Sequence, residues 1–287
     1  MERRHIKRVP LLLAGLFFAY QYFSSEKFVN PETGRASHVG MSTREEALLG
    51  LQGYEQVLAQ SESIDSGPEL EMVRRVWSRL ANATGKVGTD LDWQVSLIRS
   101  PQVNAFCLPG GKIVVYTGIL PITQNEPALA TVLGHEMAHA TSRHGSQRVL
   151  EQNLAQTALT GVAMSLSDMD YDKQRAVMGA LGAGTQFGVL MPFSRKHESE
   201  ADAIGLLYMG RAGYDPRESI RFWQRMENVG GPQPPEFLSS HPSHSTRIQQ
   251  LEAEMPKALE EYNRSNHAAA RARSNRLGLD TGGLATG

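Results

Sequence analysis

The stretch "LATVLGHEMAHATSRHG" (Leu129–Gly145) sets two histidines four positions apart, with a glutamate directly after the first. On a helix, positions i and i+4 share a face, so His135 and His139 can turn their imidazoles toward one metal ion. Glu136 is rotated by about 100° from His135, where it can reach a metal-bound water without being a ligand. Zinc lowers the pKa of such a water to about 7, and a carboxylate beside it can take the proton as the water attacks a carbonyl. The chemistry needs an unbroken helix. Leu129, Val132, Leu133 and Met137 supply an apolar stripe, and neither Gly nor Pro separates the two histidines, so a helix is expected over about 127–144.

The third ligand does not come from the extended pattern HExxHxxGxxH. Ser142 stands at its glycine and Gly145 at its third histidine, while His144 falls one place early and reads as a polar residue near the helix end. A carboxylate is available further on, in "RKHESEADAIGLLYMGRAGYDP" (Arg195–Pro216). Two histidines, one carboxylate and an open position make the usual catalytic zinc set, and Glu198 is the expected ligand. Asp202, one turn on, is placed to accept a hydrogen bond from the free ring nitrogen of His135 and so fix its tautomer. Glu200 competes as a ligand but points about 160° away from Asp202 around the helix.

The flanking sequence reads as a mainly helical α+β chain. Helical patterns are expected at about Thr43–Gln60 and Pro68–Ala83, the second with Leu70, Val73, Val76, Trp77 and Leu80 at helical spacing. "DWQVSLIR" alternates like a strand, and "VNAFCLPGGKIVVYTGIL" reads as two short strands around Pro109-Gly110-Gly111. Beyond Pro127, helices are expected over roughly 127–144, 146–165, 171–190, 196–212 and 216–228. The glycine-rich apolar run "AVMGALGAGTQFGVLM" within the third is read as a buried helix rather than a membrane span.

At the N-terminus, Arg3, Arg4, Lys7 and Arg8 precede the apolar run Val9–Phe23. A basic end before an apolar run is an export signal or an anchor, and poor small-residue spacing near Ser24 and Ser25 favours a retained anchor over residues 1–25. Residues 26–41 read as a linker, 42–256 as the globular domain and 257–287 as a disordered Arg-, Ala- and Gly-rich tail. The chain has 287 residues with Lys+Arg 29 against Asp+Glu 30, a net charge of -1, so nothing suggests a nucleic-acid partner. The single cysteine, Cys107, excludes a disulfide framework and any CxxC zinc site.

HEMAH, ESEAD and "SSHPSHSTRIQQL" together resemble peptidase family M48, which includes HtpX-like, BepA-like and CAAX-prenyl endopeptidases and the mitochondrial overlapping-activity inner-membrane protease. The resemblance runs from about Arg44 to Leu251. It implies a zincin-like (gluzincin) fold with one zinc on His135, His139 and Glu198, Glu136 as general base, and Asp202 holding a ligand histidine. In similar BepA-like proteins the histidine of the HP segment can cap the zinc, which makes His241 a regulatory fourth ligand. Arg247 would then meet substrate or the transition-state oxyanion. Asn104, at the start of the first strand of the pair, would contact an extended substrate added to a sheet edge.

The resulting expectation is a zinc endopeptidase that cleaves unfolded or damaged envelope or membrane-associated proteins. It would be a single-pass protein of the inner membrane with its catalytic domain in the periplasm, or alternatively exported after signal cleavage. Similar proteins also allow a homo-oligomer. The competing reading is a zinc-containing, chaperone-like binding module with little proteolysis. It would be signalled by loss of Glu136 or Glu198, and both are present.

Overall fold

The computed structural model describes residues 8–173, 175, 177, 193–229, 235–241 and 246–276. The expected buried helix at "AVMGALGAGTQFGVLM" lies almost entirely outside them. The chain runs α1 (Arg8–Ser24), β1 (Glu26–Val29), β2 (Ala36–Val39), α2 (Thr43–Ala59), α3 (Pro68–Ala83), α4 (Lys86–Thr89), β3 (Gln94–Ile98), β4 (Ala105–Leu108) and β5 (Lys112–Tyr116). A 3-10 turn at Thr117–Ile119 leads into α5 (Leu120–Thr123), α6 (Glu126–Thr141) and α7 (His144–Ser165). After them come α8 (Arg195–Arg211), α9 (Glu218–Glu227), α10 (Glu236–Ser240) and α11 (Arg247–Arg276). Helices dominate, as the sequence predicts.

The local reasons are conventional. Ser42 caps α2 in a reciprocal box with Glu45, Pro68 opens α3, and Asn125 caps α6 by accepting from the Ala128 N–H. The small mixed sheet has the order β3-β5-β4, with β3 parallel and β4 antiparallel to β5. Central β5 buries Ile113, Val114 and Val115, as a strand covered on both faces should. The core joins this sheet to α3, α6, α8 and α9 through residues such as Val76, Leu80, Leu133, Met137, Ile204 and Phe222.

Three segments depart from expectation. Helix α6 stops at Thr141, because Arg143 turns to a left-handed φ of 53° and α7 restarts at His144. The presumed linker instead forms the β1–β2 hairpin, whose register runs from Glu26↔Val39 to Val29↔Ala36. The presumed tail is helical through Arg276, and its Ala258 is fully buried. At the N-terminus, α1 packs along α7, with the Thr157 hydroxyl bonded to Gln21 at 2.8 Å. Among the described residues no helix is long and apolar enough to cross a membrane, so the expected membrane anchor is not seen as a span.

Candidate active site

Helices α6 and α8 cross where Gly134 meets Gly205. A Cβ on Gly205 would lie 3.0 Å from the His135 backbone nitrogen, so any larger residue there would require the two helix backbones to give by a few tenths of an ångström. The crossing faces His135 and His139 toward Glu198, and α10 delivers His241 from the other side. One donor atom from each of these four residues lies within 4.8 Å of the others. His135 Nε2 is 3.1 Å from His139 Nε2 and 3.4 Å from Glu198 Oε2, and His139 Nε2 is 3.4 Å from Glu198 Oε1. His241 Nδ1 is 3.2 Å from His135 Nε2 and 3.0 Å from Glu198 Oε1. Zinc–ligand bonds near 2.0–2.1 Å give tetrahedral edges of about 3.3 Å, which these spacings fit.

The outer nitrogens say which atoms face inward. His135 Nδ1–H donates to Asp202 Oδ1 at 2.9 Å. His139 Nδ1 lies 3.0 Å from His144 Nδ1, and His144 Nε2 lies 2.9 Å from Glu200 Oε2. Burial lowers the His144 pKa, so the ring is neutral and carries one proton. The Glu200 carboxylate can only accept, which places that proton on Nε2 and leaves His139 Nδ1–H to donate to His144. In neutral His135 and His139, both Nε2 atoms are then bare lone pairs converging beside a carboxylate, an arrangement that calls for a cation. Without an ion, a proton on His135 supplies that positive charge: burial alone would lower its pKa, but the charges of Glu198 and Asp202 outweigh it and lift it to about 9. Burial would raise Glu198, yet the charge on His135 and bonds from the imidazoles hold it far below the ordinary carboxylate range.

Glu136 flanks this cluster. Its Oε2 accepts the Cys107 backbone N–H at 3.1 Å, and burial raises its pKa. His241 Nε2 lies 3.2 Å from Glu136 Oε1, so this one ring touches both the ligand set and the glutamate. Arg247 is fully buried against the Trp223 face, 2.8 Å from Asp202 and 3.2 Å from Glu198. It therefore braces the two carboxylates rather than standing open to substrate. Asn104 precedes edge strand β4. Its backbone carbonyl accepts from Tyr116, and its side-chain oxygen is buried with no hydrogen-bond partner.

The sequence marked His144 only as a polar residue near the helix end and Glu200 only as a competing ligand, and it did not single out Arg35. On a continuous helix His144 would point about 140° away from His139, and only the break at Arg143 swings it back. Arg35 lies in the hairpin read as a linker, and bonds Glu200 Oε2 through Nε at 2.7 Å. Those bonds, with others from His144 and Thr33, overcome burial and hold Glu200 well below the usual carboxylate range.

Two histidines and a glutamate from crossed helices, with a second glutamate beside them, define a metallopeptidase of the HExxH class. Residues 69–255 match Peptidase family M48, and the chain belongs to that family as a metalloendopeptidase. It is 34% identical over 242 residues to the mitochondrial metalloendopeptidase OMA1 of Schizosaccharomyces pombe, covering 83% of this chain and 68% of the relative. Against OMA1 of Saccharomyces cerevisiae it is 30% identical over 284 residues, 93% of this chain and 79% of that one. The β-barrel assembly-enhancing protease of Yersinia pestis is 30% identical over 223 residues, 76% of this chain but 45% of the longer relative. Similarity to mitochondrial enzymes overturns the expected placement in a bacterial inner membrane with a periplasmic catalytic domain.

Proposed function

We propose that the chain is a zinc-dependent endopeptidase acting on unfolded or damaged membrane-associated proteins, with His241 holding it in a closed, latent state. The observation that carries this reading is the convergence of two outward-donating imidazoles and Glu198 on one point, beside a separate glutamate. His135, His139 and Glu198 would hold the ion, and zinc there would supply Lewis acidity, making water nucleophilic near neutral pH and polarising the scissile carbonyl.

The chain's own groups do the rest. Glu136, fixed by the Cys107 N–H, takes the proton of the attacking water and returns it to the leaving amine. Asp202 keeps the His135 lone pair directed inward, and Arg247 holds Asp202 in place. Among the described residues no strand pairs with the outer edge of β4, so an extended substrate would add there, with Asn104 at its entrance. Recognition through backbone groups suits unfolded segments of varied sequence. Helix α1 exposes Leu12, Leu13, Leu16, Phe17 and Phe23, an apolar surface suited to a location near such substrates.

The test is cleavage of casein by wild type, Glu136→Gln and His241→Ala, each with its zinc content measured. Glu136→Gln is expected to keep zinc and lose about 10²–10⁴-fold in rate. His241→Ala is expected to cut faster than wild type, and an equal or lower rate would remove the latency reading. Bound zinc without cutting in any of the three would favour the chaperone-like binding module instead.

A further inference from the structure

The turn between β1 and β2 reaches the metal cluster from outside. It is tightly made: Asn30 Oδ1 accepts from the Glu32 N–H at 2.9 Å, Asn30 N–H donates to the Arg35 carbonyl at 2.8 Å, and Gly34 takes a left-handed φ of 71°. Glu32 then clamps the turn to α8 through a two-pronged pair with Arg211 at 2.6 and 2.9 Å. From this platform the Thr33 hydroxyl donates to Glu200 Oε1 at 2.6 Å and Arg35 Nε–H to Glu200 Oε2 at 2.7 Å. Asn30 Nδ2 bridges Glu200 Oε1 and the Ser142 hydroxyl, beside the break that ends α6. Arg35 also bonds Gln147, whose amide donates to the Ser142 carbonyl.

We propose that this turn is a working part of the metal centre, with Thr33 and Arg35 as positioning residues that set the tautomer and ring orientation of His139 through Glu200 and His144. The inference rests on the zinc reading above and extends it. Its strongest support is an internal parallel. His135 is oriented by Asp202, which is braced by Arg247; His139 is oriented by His144 and Glu200, which are braced by Arg35. Glu198, Glu200 and Asp202 thus divide the labour along little more than one turn of one helix: one faces the ion, and the other two each support a different ligand histidine. His144 is fully buried and stacked on His197 with ring centroids 4.4 Å apart, so its ring has little freedom except what Glu200 allows. Displacing the hairpin would leave the buried Glu200 without its arginine and loosen His139, coupling the position of the N-terminal segment to metal retention.

The experiment measures zinc dissociation constants of the full chain by competition with a chromophoric chelator. Partners that orient metal-bound histidines commonly contribute about 10–100-fold in metal affinity. Arg35→Gln and Glu200→Gln are expected to weaken zinc binding within that range, with Thr33→Val losing less and Arg35→Lys recovering part of the loss. In a His144→Phe background, Arg35→Gln should cost nothing further, an outcome that a general folding defect would not give. Affinities of Arg35→Gln and Glu200→Gln within twofold of wild type would overturn the proposal, as would the same loss from Arg35→Gln with and without His144. If wild type itself fails to bind zinc, the metal reading fails first. Tight wild-type binding with unaffected variants removes the positioning role alone.

Discussion

Arg247 is fully buried, its guanidinium lies 3.4 Å from the Trp223 ring centroid, and it contacts both Asp202 and Glu198. Removing one member of such a buried charge group leaves the others uncompensated, at about 3–5 kcal/mol. Arg247→Met is therefore expected to lower the stability of the zinc-free protein by that amount in chemical denaturation. A substrate-contacting arginine would instead raise KM and leave denaturation unchanged. The residue scale also shows what the sequence could carry. His135, Glu136 and His139 were legible because one helix fixes their relative angles, and Glu198 with Asp202 because the same i,i+4 geometry recurs. Arg247 could be located but its role could not be read, since that depends on which carboxylates a distant helix brings under it.

At the scale of elements, the site is set by how closely α6 and α8 approach. The contact is backbone to backbone: a Cβ on Gly134 would meet the Gly205 carbonyl oxygen at 3.1 Å, and one on Gly205 would meet the carbonyl carbon of Gly134 at 3.1 Å. Backbone cannot swing aside as a side chain can, so Gly205→Val must push the helices apart and carry Glu198 away from the histidines. The expected cost is about 1–3 kcal/mol from overpacking, with zinc content lost in parallel. Gly15→Ala in α1 is the control, because nothing lies within 4 Å of its added methyl, and it should be neutral or stabilising by up to about 1 kcal/mol. Zinc analysis and thermal melts of both variants decide the point. The helices themselves were readable from periodicity. Their crossing was not, because an isolated glycine in a helical pattern marks a weak point locally and discloses its use only in three dimensions.

Across the whole molecule, the two segments that composition marked as linker and tail meet at one side chain. Arg211, at the end of α8, pairs with Glu32 of the hairpin turn and lies 3.7 Å from Glu261 of α11. Low apolar content hid both segments: the hairpin contributes polar bonds rather than core, and α11 buries only a narrow stripe that includes Leu251, Met255 and Ala258. That stripe has a definite end. Gly210 abuts the Ala258 carbonyl so closely that an added Cβ would come within 2.4 Å of it, while nearly every described side chain from His267 onward is exposed. A chain ending at Asn266 is therefore expected to melt with wild type. One ending at Pro256 loses the Ala258 contact, the half-buried Leu259 and the Glu261 brace, about 2 kcal/mol or roughly 4–8 °C. Because α11 backs α8 and Arg211 joins it to the hairpin, the shorter chain should also bind zinc more weakly, although its deletion begins on the far side of α8 from the histidines. Equal melting and equal zinc affinity for the two truncations would separate the C-terminal helix from the metal centre and leave the hairpin as its outer support.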